Sequence, residues 1–170
     1  MIIQVYDDDL LNGKGLREVA FLQGCPHHCK NCFNSETWEF KKDTPESIDK
    51  SARFIIQIKN KLKEPYIDGI TLSGGDPLAP QNLKEALSLA TTAKSYGKTV
   101  WAYTGYAWEY LIKSKEHQEI LKYIDVLCEG PFIEKLKSPD KPWVGSSNQR
   151  VINVRESLKA NKIIELNTKF

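Results

Sequence analysis

The succession of strand, loop and helix along the 170 residues predicts an α/β fold, an incomplete TIM-like βα barrel of about five or six units. Three observations carry this prediction. Apolar runs of strand length alternate with amphipathic helical segments, the signature of parallel βα units. A cysteine-rich loop and a glycine-rich loop both fall at the C-terminal ends of strands, where such folds place their ligand sites. A complete barrel needs roughly 250 residues, more than this chain has.

The elements follow in order. Ile2 to Tyr6 is a short apolar strand, and Asp7 to Gly15 is a polar segment whose Asn12-Gly13 and Gly15 mark turns. Arg17 to Gln23 is the next strand, closed by Gly24 just before the first cysteine. Thr44 and Pro45 start a helix as N-cap and first helical residue, and Ile48, Ala52, Ile55, Ile56 and Leu62 form its apolar face. Ile67 to Leu72 is a strand ending in Ser73-Gly74-Gly75-Asp76-Pro77. A second helix runs from Gln81 to Tyr96, with Leu83, Ala86, Leu87, Ala90 and Ala93 on one face and Gly97 as its stop. Thr99 to Tyr103 is another strand, Trp108 to Lys113 and Gln118 to Tyr123 are helical pieces, and Asp125 to Cys128 is a short strand. A loop with three prolines spans Pro131 to Asn148. Val151 to Val154 and Ile163 to Leu166 read as closing strands around a helix from Arg155 to Ala160.

Nothing divides the chain: no repeat, low-complexity tract or linker interrupts residues 1–170, which are expected to fold as a single domain. With 24 basic and 22 acidic residues the net charge is +2, too small and too dispersed for the footprint of a nucleic-acid binder. The N-terminus lacks the basic and apolar regions of a signal peptide, and no apolar run has the length of a membrane span, so a cytoplasmic location is expected. Four cysteines in that reducing compartment read as metal ligands or buried thiols rather than disulfides.

Three of them stand in one loop, Cys25-Pro26-His27-His28-Cys29-Lys30-Asn31-Cys32, with C-x3-C-x2-C spacing. A structural zinc wants four ligands, so a zinc reading must add His27 or His28 to the cysteines. A four-iron cluster held by three cysteines leaves one iron free to bind a small molecule. Both readings stand on the spacing alone. Both histidines otherwise face solvent or sit behind the ligands, and Cys128, in an apolar strand, is most simply a small buried side chain. By itself Gly74-Gly75-Asp76-Pro77 is a turn whose bare backbone lets main-chain groups approach a ligand closely. Trp101, Tyr103, Tyr106, Trp108 and Tyr110 read as core and rim packing, and Gly145 to Arg150 as a polar surface loop or a partner surface.

Together the cysteine loop after one strand and Gly-Gly-Asp-Pro after the next resemble the radical S-adenosylmethionine enzymes. Within that superfamily the chain is similar to the activating proteins of anaerobic ribonucleoside-triphosphate reductases. The likeness runs through Asn12-Gly13-Lys14-Gly15-Leu16-Arg17, Cys25 to Trp38, Ser73 to Pro77, Tyr103 to Tyr106, Glu129 to Phe132 and Gly145-Ser146-Ser147-Asn148-Gln149-Arg150. The resemblance implies that Cys25, Cys29 and Cys32 ligate a [4Fe-4S] cluster and that S-adenosyl-L-methionine binds beside it. Its contacts are then Asn31, Cys32, Phe33, Gly74, Gly75 and Asp76, with Thr104 and Glu129 at later strand ends. Implied partners are the reductase, whose glycine becomes a glycyl radical, and a low-potential donor such as flavodoxin or ferredoxin. Asn12, Lys14, Asn31 and the pair Cys128-Glu129 depart from the usual activase residues. Competing expectations are a pyruvate formate-lyase activase, a 7-carboxy-7-deazaguanine synthase, and a Cys3His zinc-bound interaction module.

Overall fold

The computed structural model of the chain describes residues 1–167. Six strands form one sheet in chain order: β1 (Ile2–Asp9), β2 (Arg17–Leu22), β3 (Gly69–Gly74), β4 (Thr99–Thr104), β5 (Val126–Glu129) and β6 (Arg150–Asn153). β2 to β5 run parallel, and β1 and β6 lie antiparallel along the two edges. Helices α1 (Pro45–Lys61), α2 (Leu83–Ser95) and the pair α3 (Trp108–Leu111) and α4 (Lys115–Leu121) make the crossovers; α5 (Val154–Ala160) follows β6. The fold is mixed α/β with a six-stranded sheet. Where the sequence suggests five or six βα units, three crossovers join four parallel strands. Both edge strands are reached without a helical crossover, which antiparallel pairing does not need.

Strand residues alternate between two environments, as a period of two requires. Ala20, Leu22, Ile70, Leu72, Val100, Ala102, Leu127 and Ile152 face the helices, against Ile58, Ala90, Leu111 and Ile120. Trp101, Val126, Cys128 and Val151 point the other way and are covered by Tyr103, Trp143, Val144 and Leu166. The helices therefore share one face of the sheet, and loops close the other.

Helix α1 starts as expected: the Thr44 and Ser47 side chains cap each other's backbone N–H groups, with Pro45 at the first position. Its buried stripe differs from the expected one. Ser51, Phe54, Ile55, Ile58 and Leu62 face the core, whereas Ile48, Ala52 and Ile56 are exposed. Ser51 explains the rotation, because its hydroxyl accepts the Ile2 N–H (3.1 Å) and donates to Glu85 (3.1 Å), tying α1 to β1 and α2. A polar residue inside the buried stripe is invisible to apolar periodicity. In α2, Ala86, Leu89, Ala90 and Ala93 are buried while Leu83 and Leu87 are half-buried. The segment expected as a strand from Ile163 to Leu166 follows β6 only through a single bridge, Ile152 to Glu165.

Two charged residues open β2. Arg17 is fully buried: Nε donates to Thr71 (2.8 Å), Nη1 to Lys14 O and Thr99, and Nη2 to Ile70 O (2.7 Å) and Thr99 O. Its guanidinium also lies 5.4 Å from the Trp101 ring centre. Burial lowers its pKa to about 10, which leaves it charged at neutral pH. Through these bonds one side chain fastens the loop before β2 to the starts of β3 and β4. Glu18 is also buried, and one carboxylate oxygen has no hydrogen-bond partner while the other accepts the Asp8 N–H (3.3 Å). Burial, and after it the neighbouring Asp7 carboxylate, raise its pKa from 4.5 to about 8.

Glu18 thus keeps its proton in the folded chain at pH values where the unfolded chain has lost it. Stability contributed by the neutral form is complete below pH 4.5, falls as pH rises, and is gone above about 8. Glu18→Gln should therefore raise the melting temperature at pH 8 and leave it nearly unchanged at pH 4.5, as followed by circular dichroism. An equal shift at both values would exclude this titration.

Candidate metal centre

The site is assembled where β2 and β3 end. Leu22 hands the chain to Gly24 and Cys25, and Gly74 hands it to Gly75 and Asp76. These two exits are joined by backbone hydrogen bonds, from Gly75 N to Leu22 O (2.8 Å) and from Asp76 N to Gly24 O (2.9 Å). The glycines permit the joining. Gly74 has φ of +93°, and a Cβ on Gly75 would collide with the Gly24 carbonyl oxygen. Their bare backbone thus serves first to bring two loops together.

The cysteine loop is folded on itself. Cys32 N donates to Cys29 O (3.0 Å), Cys25 N donates to Trp38 O (3.0 Å), and His28 and Asn31 take the left-handed conformation, φ of 48° and 57°. Each thiol faces at least one backbone N–H: Cys25 those of His27 and His28, Cys29 that of Phe132, and Cys32 that of Asn34 (3.4 Å). Such donors favour sulfur that carries negative charge, as a metal-bound thiolate does. Partial burial acts oppositely on the free thiols, pushing Cys25 up to about 11 and Cys29 upward as well. Metal uptake must therefore displace protons.

Cys25, Cys29 and Cys32 open on one cavity of about 450 Å³, also lined by Phe33, Gly74, Gly75, Asp76 and Thr104. The donor set fits an iron–sulfur cluster, in which each thiolate binds a different iron. A single zinc fits less well. Among the described residues no three His, Cys, Asp or Glu side chains close on one ion. The histidines that would complete the set are engaged: His27 Nε2 lies 2.7 Å from Asp76, and the His28 ring lies against Trp38 at 4.9 Å. Cys128 is apart from the triplet, buried on β5 beside the Tyr103 hydroxyl, and burial pushes its thiol up to about 12.

Asp76 is the buried centre of this wall, 1% exposed. Its carboxylate accepts from Leu78 N (2.8 Å), Thr104 Oγ1 (2.9 and 3.0 Å) and Gly105 N (3.0 Å) besides pairing with His27. The cysteine loop, the glycine loop and the end of β4 are therefore held by one side chain. Thr104 lines the cavity while bound to it.

Asn31 and Glu129 are placed elsewhere. Asn31 donates to Glu134, which also receives Lys30 (3.3 Å). Glu129, buried at the end of β5, accepts from Trp108 N (2.8 Å) and pairs with Arg150, whose other nitrogens reach Glu109 at 3.1 and 3.0 Å. Sequence reasoning missed the His27–Asp76 pair, whose members lie 49 residues apart. It also missed the cavity walls given by Leu11, Tyr103, Lys141 and Trp143. Trp143 had a signal, standing beside the Gly145 to Arg150 tract.

That tract builds a strap over the cavity. Gln149 Oε1 accepts from Gly145 N (2.9 Å) and Ser146 N (3.1 Å), and its Nε2 donates to Gly130 O (2.9 Å). Asn148 donates to Pro131 O (2.9 Å), and Ser146 Oγ accepts from Ile133 N (3.1 Å). Pro139, Pro142, Trp143 and Val144 are thereby laid along one side of the cavity.

Fold and triplet together define a single-cluster iron–sulfur domain, and the family model described as "4Fe-4S single cluster domain" matches residues 11–152. The anaerobic ribonucleoside-triphosphate reductase-activating protein of Escherichia coli K12 is 39% identical over 156 residues, spanning 89% of this chain and 97% of that protein. Its namesake in Salmonella typhi is 36% identical over 154 residues with the same coverage. In bacteriophage T4 the namesake is 37% identical over 150 residues, 87% of this chain and 90% of that protein. The chain belongs to this family of reductase-activating proteins.

Asp76→Ala leaves several buried donors unpaired and should cost about 3 kcal/mol in urea unfolding of the metal-free protein. A loss under about 1 kcal/mol would remove Asp76 from its central place. Under native conditions an alkylating reagent should modify Cys25, Cys29 and Cys32 and spare Cys128 until the chain unfolds, as read by mass spectrometry.

Proposed function

We propose that the chain is a radical S-adenosylmethionine activase that installs the glycyl radical on an anaerobic ribonucleoside-triphosphate reductase. The observation that carries this reading is three half-buried thiols, each facing backbone N–H groups, on a cavity floored by Gly74, Gly75 and Asp76. When bound, the cluster and S-adenosylmethionine supply a one-electron cleavage of the sulfonium to methionine and a 5′-deoxyadenosyl radical, which takes a hydrogen atom from a glycine α-carbon.

The chain's own residues hold and shield. Cys25, Cys29 and Cys32 are the cluster ligands in this reading, and Phe33, Gly74, Gly75, Asp76 and Thr104 are the wall against which S-adenosylmethionine lies. Asn31 and Glu129 act indirectly, Asn31 by fixing Glu134 and Glu129 by fixing Arg150 at the root of the strap. Leu11 and Phe33 stand at the rim, 81% and 79% exposed, an apolar border suited to a protein loop. A sheet in chain order with its helices on one face supports reading the fold as an open sector of a βα barrel. No helix of the described residues is long and apolar enough to cross a membrane. We place the activase in the cytoplasm, with a flavodoxin or ferredoxin as its electron donor.

Protein reconstituted anaerobically with iron and sulfide, then given reductant and S-adenosylmethionine, should form 5′-deoxyadenosine and produce the doublet of a glycyl radical on the reductase in electron paramagnetic resonance. Cleavage without the doublet would shift the reading to a radical S-adenosylmethionine enzyme with another substrate. Replacing Cys25, Cys29 or Cys32 by Ala should lower cleavage at least ~100-fold, and Cys128→Ala should retain it.

A further inference from the structure

Among the described residues the three most exposed large hydrophobic side chains are gathered at one place. Leu11, Phe33 and Leu10 are 81%, 79% and 67% exposed. Leu11 and Phe33 also line the cavity on which the three thiols open, and Leu10 precedes Leu11 in the chain. They come from two separate segments, the loop between β1 and β2 and the residue after Cys32, so the apolar rim is not the property of one stretch. Contiguous apolar surface of this kind, bordering a cavity, marks a site of interaction.

The leucines are held in this exposed position from behind. Asp9 Oδ1 accepts from Leu11 N (2.9 Å), Asn12 N (2.7 Å) and Asn12 Nδ2 (3.1 Å). Asn12 O accepts from the buried Thr71 hydroxyl (2.7 Å), and Lys14 O from Arg17 (3.1 Å). The loop is thus bonded to β3 and to the start of β2 in a shape that turns both leucines to solvent. Leaving two leucines in water forgoes the gain of burying them, and a fixed loop keeps that gain for a partner without a further ordering cost. On the far side of the rim Lys137 of the strap lies over the Phe33 ring at 5.4 Å.

We propose that Leu10 and Leu11 are docking residues for the reductase, seating apolar side chains that flank its radical-bearing glycine. The inference rests on the activase reading and deepens it. The cavity selects the occupant. Any protein segment that brings an α-carbon to the thiol site must pass Leu11 and Phe33, because both belong to the cavity itself. That cavity, about 450 Å³, has S-adenosylmethionine to hold as well, so what enters is narrow. A glycine has no side chain and lets a turn of bare backbone enter, while the side chains of its neighbours stay at the rim and meet the leucines. A second copy of this chain seated here would shut the cavity to substrate, and an electron carrier has no need to enter it.

The probe is the anaerobic reductase of the same organism, titrated calorimetrically into the reconstituted protein without oxygen. Leu10→Ser and Leu11→Ser should each weaken its binding about tenfold. Leu10→Met and Leu11→Met, which keep an apolar side chain of similar volume, should bind within about twofold of wild type. Leu10 lies outside the cavity, so Leu10→Ser should raise the reductase concentration that gives half-maximal glycyl radical formation about tenfold. The same variant should leave the radical yield at saturation, and S-adenosylmethionine cleavage without reductase, unchanged. Melting temperatures should match wild type, which separates lost docking from lost folding. Serine variants that bind the reductase as wild type does would overturn the proposal and leave the activase reading in place. Variants that change self-association on a sizing column while binding the reductase normally would assign the rim to a second copy and overturn it equally. Wild-type protein that binds no reductase would overturn both readings.

Discussion

The buried carboxylate of Asp76 is the constraint on which the site depends. It accepts hydrogen bonds from the end of β4 and from Leu78 N of its own turn, and it pairs with His27 of the cysteine loop. Parallel strands bring their C-terminal ends to one edge of the sheet, but nothing in strand pairing fixes the loops that leave them. Asp76 supplies that fixation, and the bonds from Gly75 to Leu22 and from Asp76 to Gly24 extend it along the backbone. Once these bonds are made, the two strand-exit loops are fixed to each other, and the three thiols open on one cavity.

Opposite this wall the chain uses a second, separate device. Glu129 ends β5 and Arg150 opens the neighbouring β6, and their ion pair, extended to Glu109, pins both ends of the segment between them. Residues 130–149 then close on themselves through Gln149 and Asn148, while Trp143 and Val144 pack on the sheet. The cavity thus has one wall built by strand exits and another built by an internally bonded strap. Helices take no part in lining it, which is why they are free to pack the opposite face of the sheet.

Much of this was legible in the sequence. Four parallel strands, the capped start of α1 and the site's position at strand ends follow from patterns that local chemistry imposes: alternation, a Thr-Pro start, and glycines before a loop. Chain-wide partnerships were not legible. The stripe of α1 was misjudged because Ser51 is buried by hydrogen bonds to Ile2 and Glu85, distant residues that no local pattern names. The antiparallel edges escaped because a strand's direction depends on its partner. Of the candidate contacts, Cys32, Phe33, Gly74, Gly75, Asp76 and Thr104 line the cavity, whereas Asn31 and Glu129 are occupied with Glu134 and Arg150. The Gly145 to Arg150 tract was singled out by sequence, and its internal bonding gives it a structural task that a polar surface loop would lack.

The strap's bonding pattern bears on how such a protein diverges. Its conformation is secured by the side chains of Ser146, Asn148, Gln149 and Arg150, while Ile133, Leu136 and Lys137 join it through their backbones and leave their side chains exposed. Scaffold and display are therefore carried by different residues of one segment. Lineages can exchange the displayed side chains, and with them the surface shown to another protein, without paying in the geometry of the thiols below.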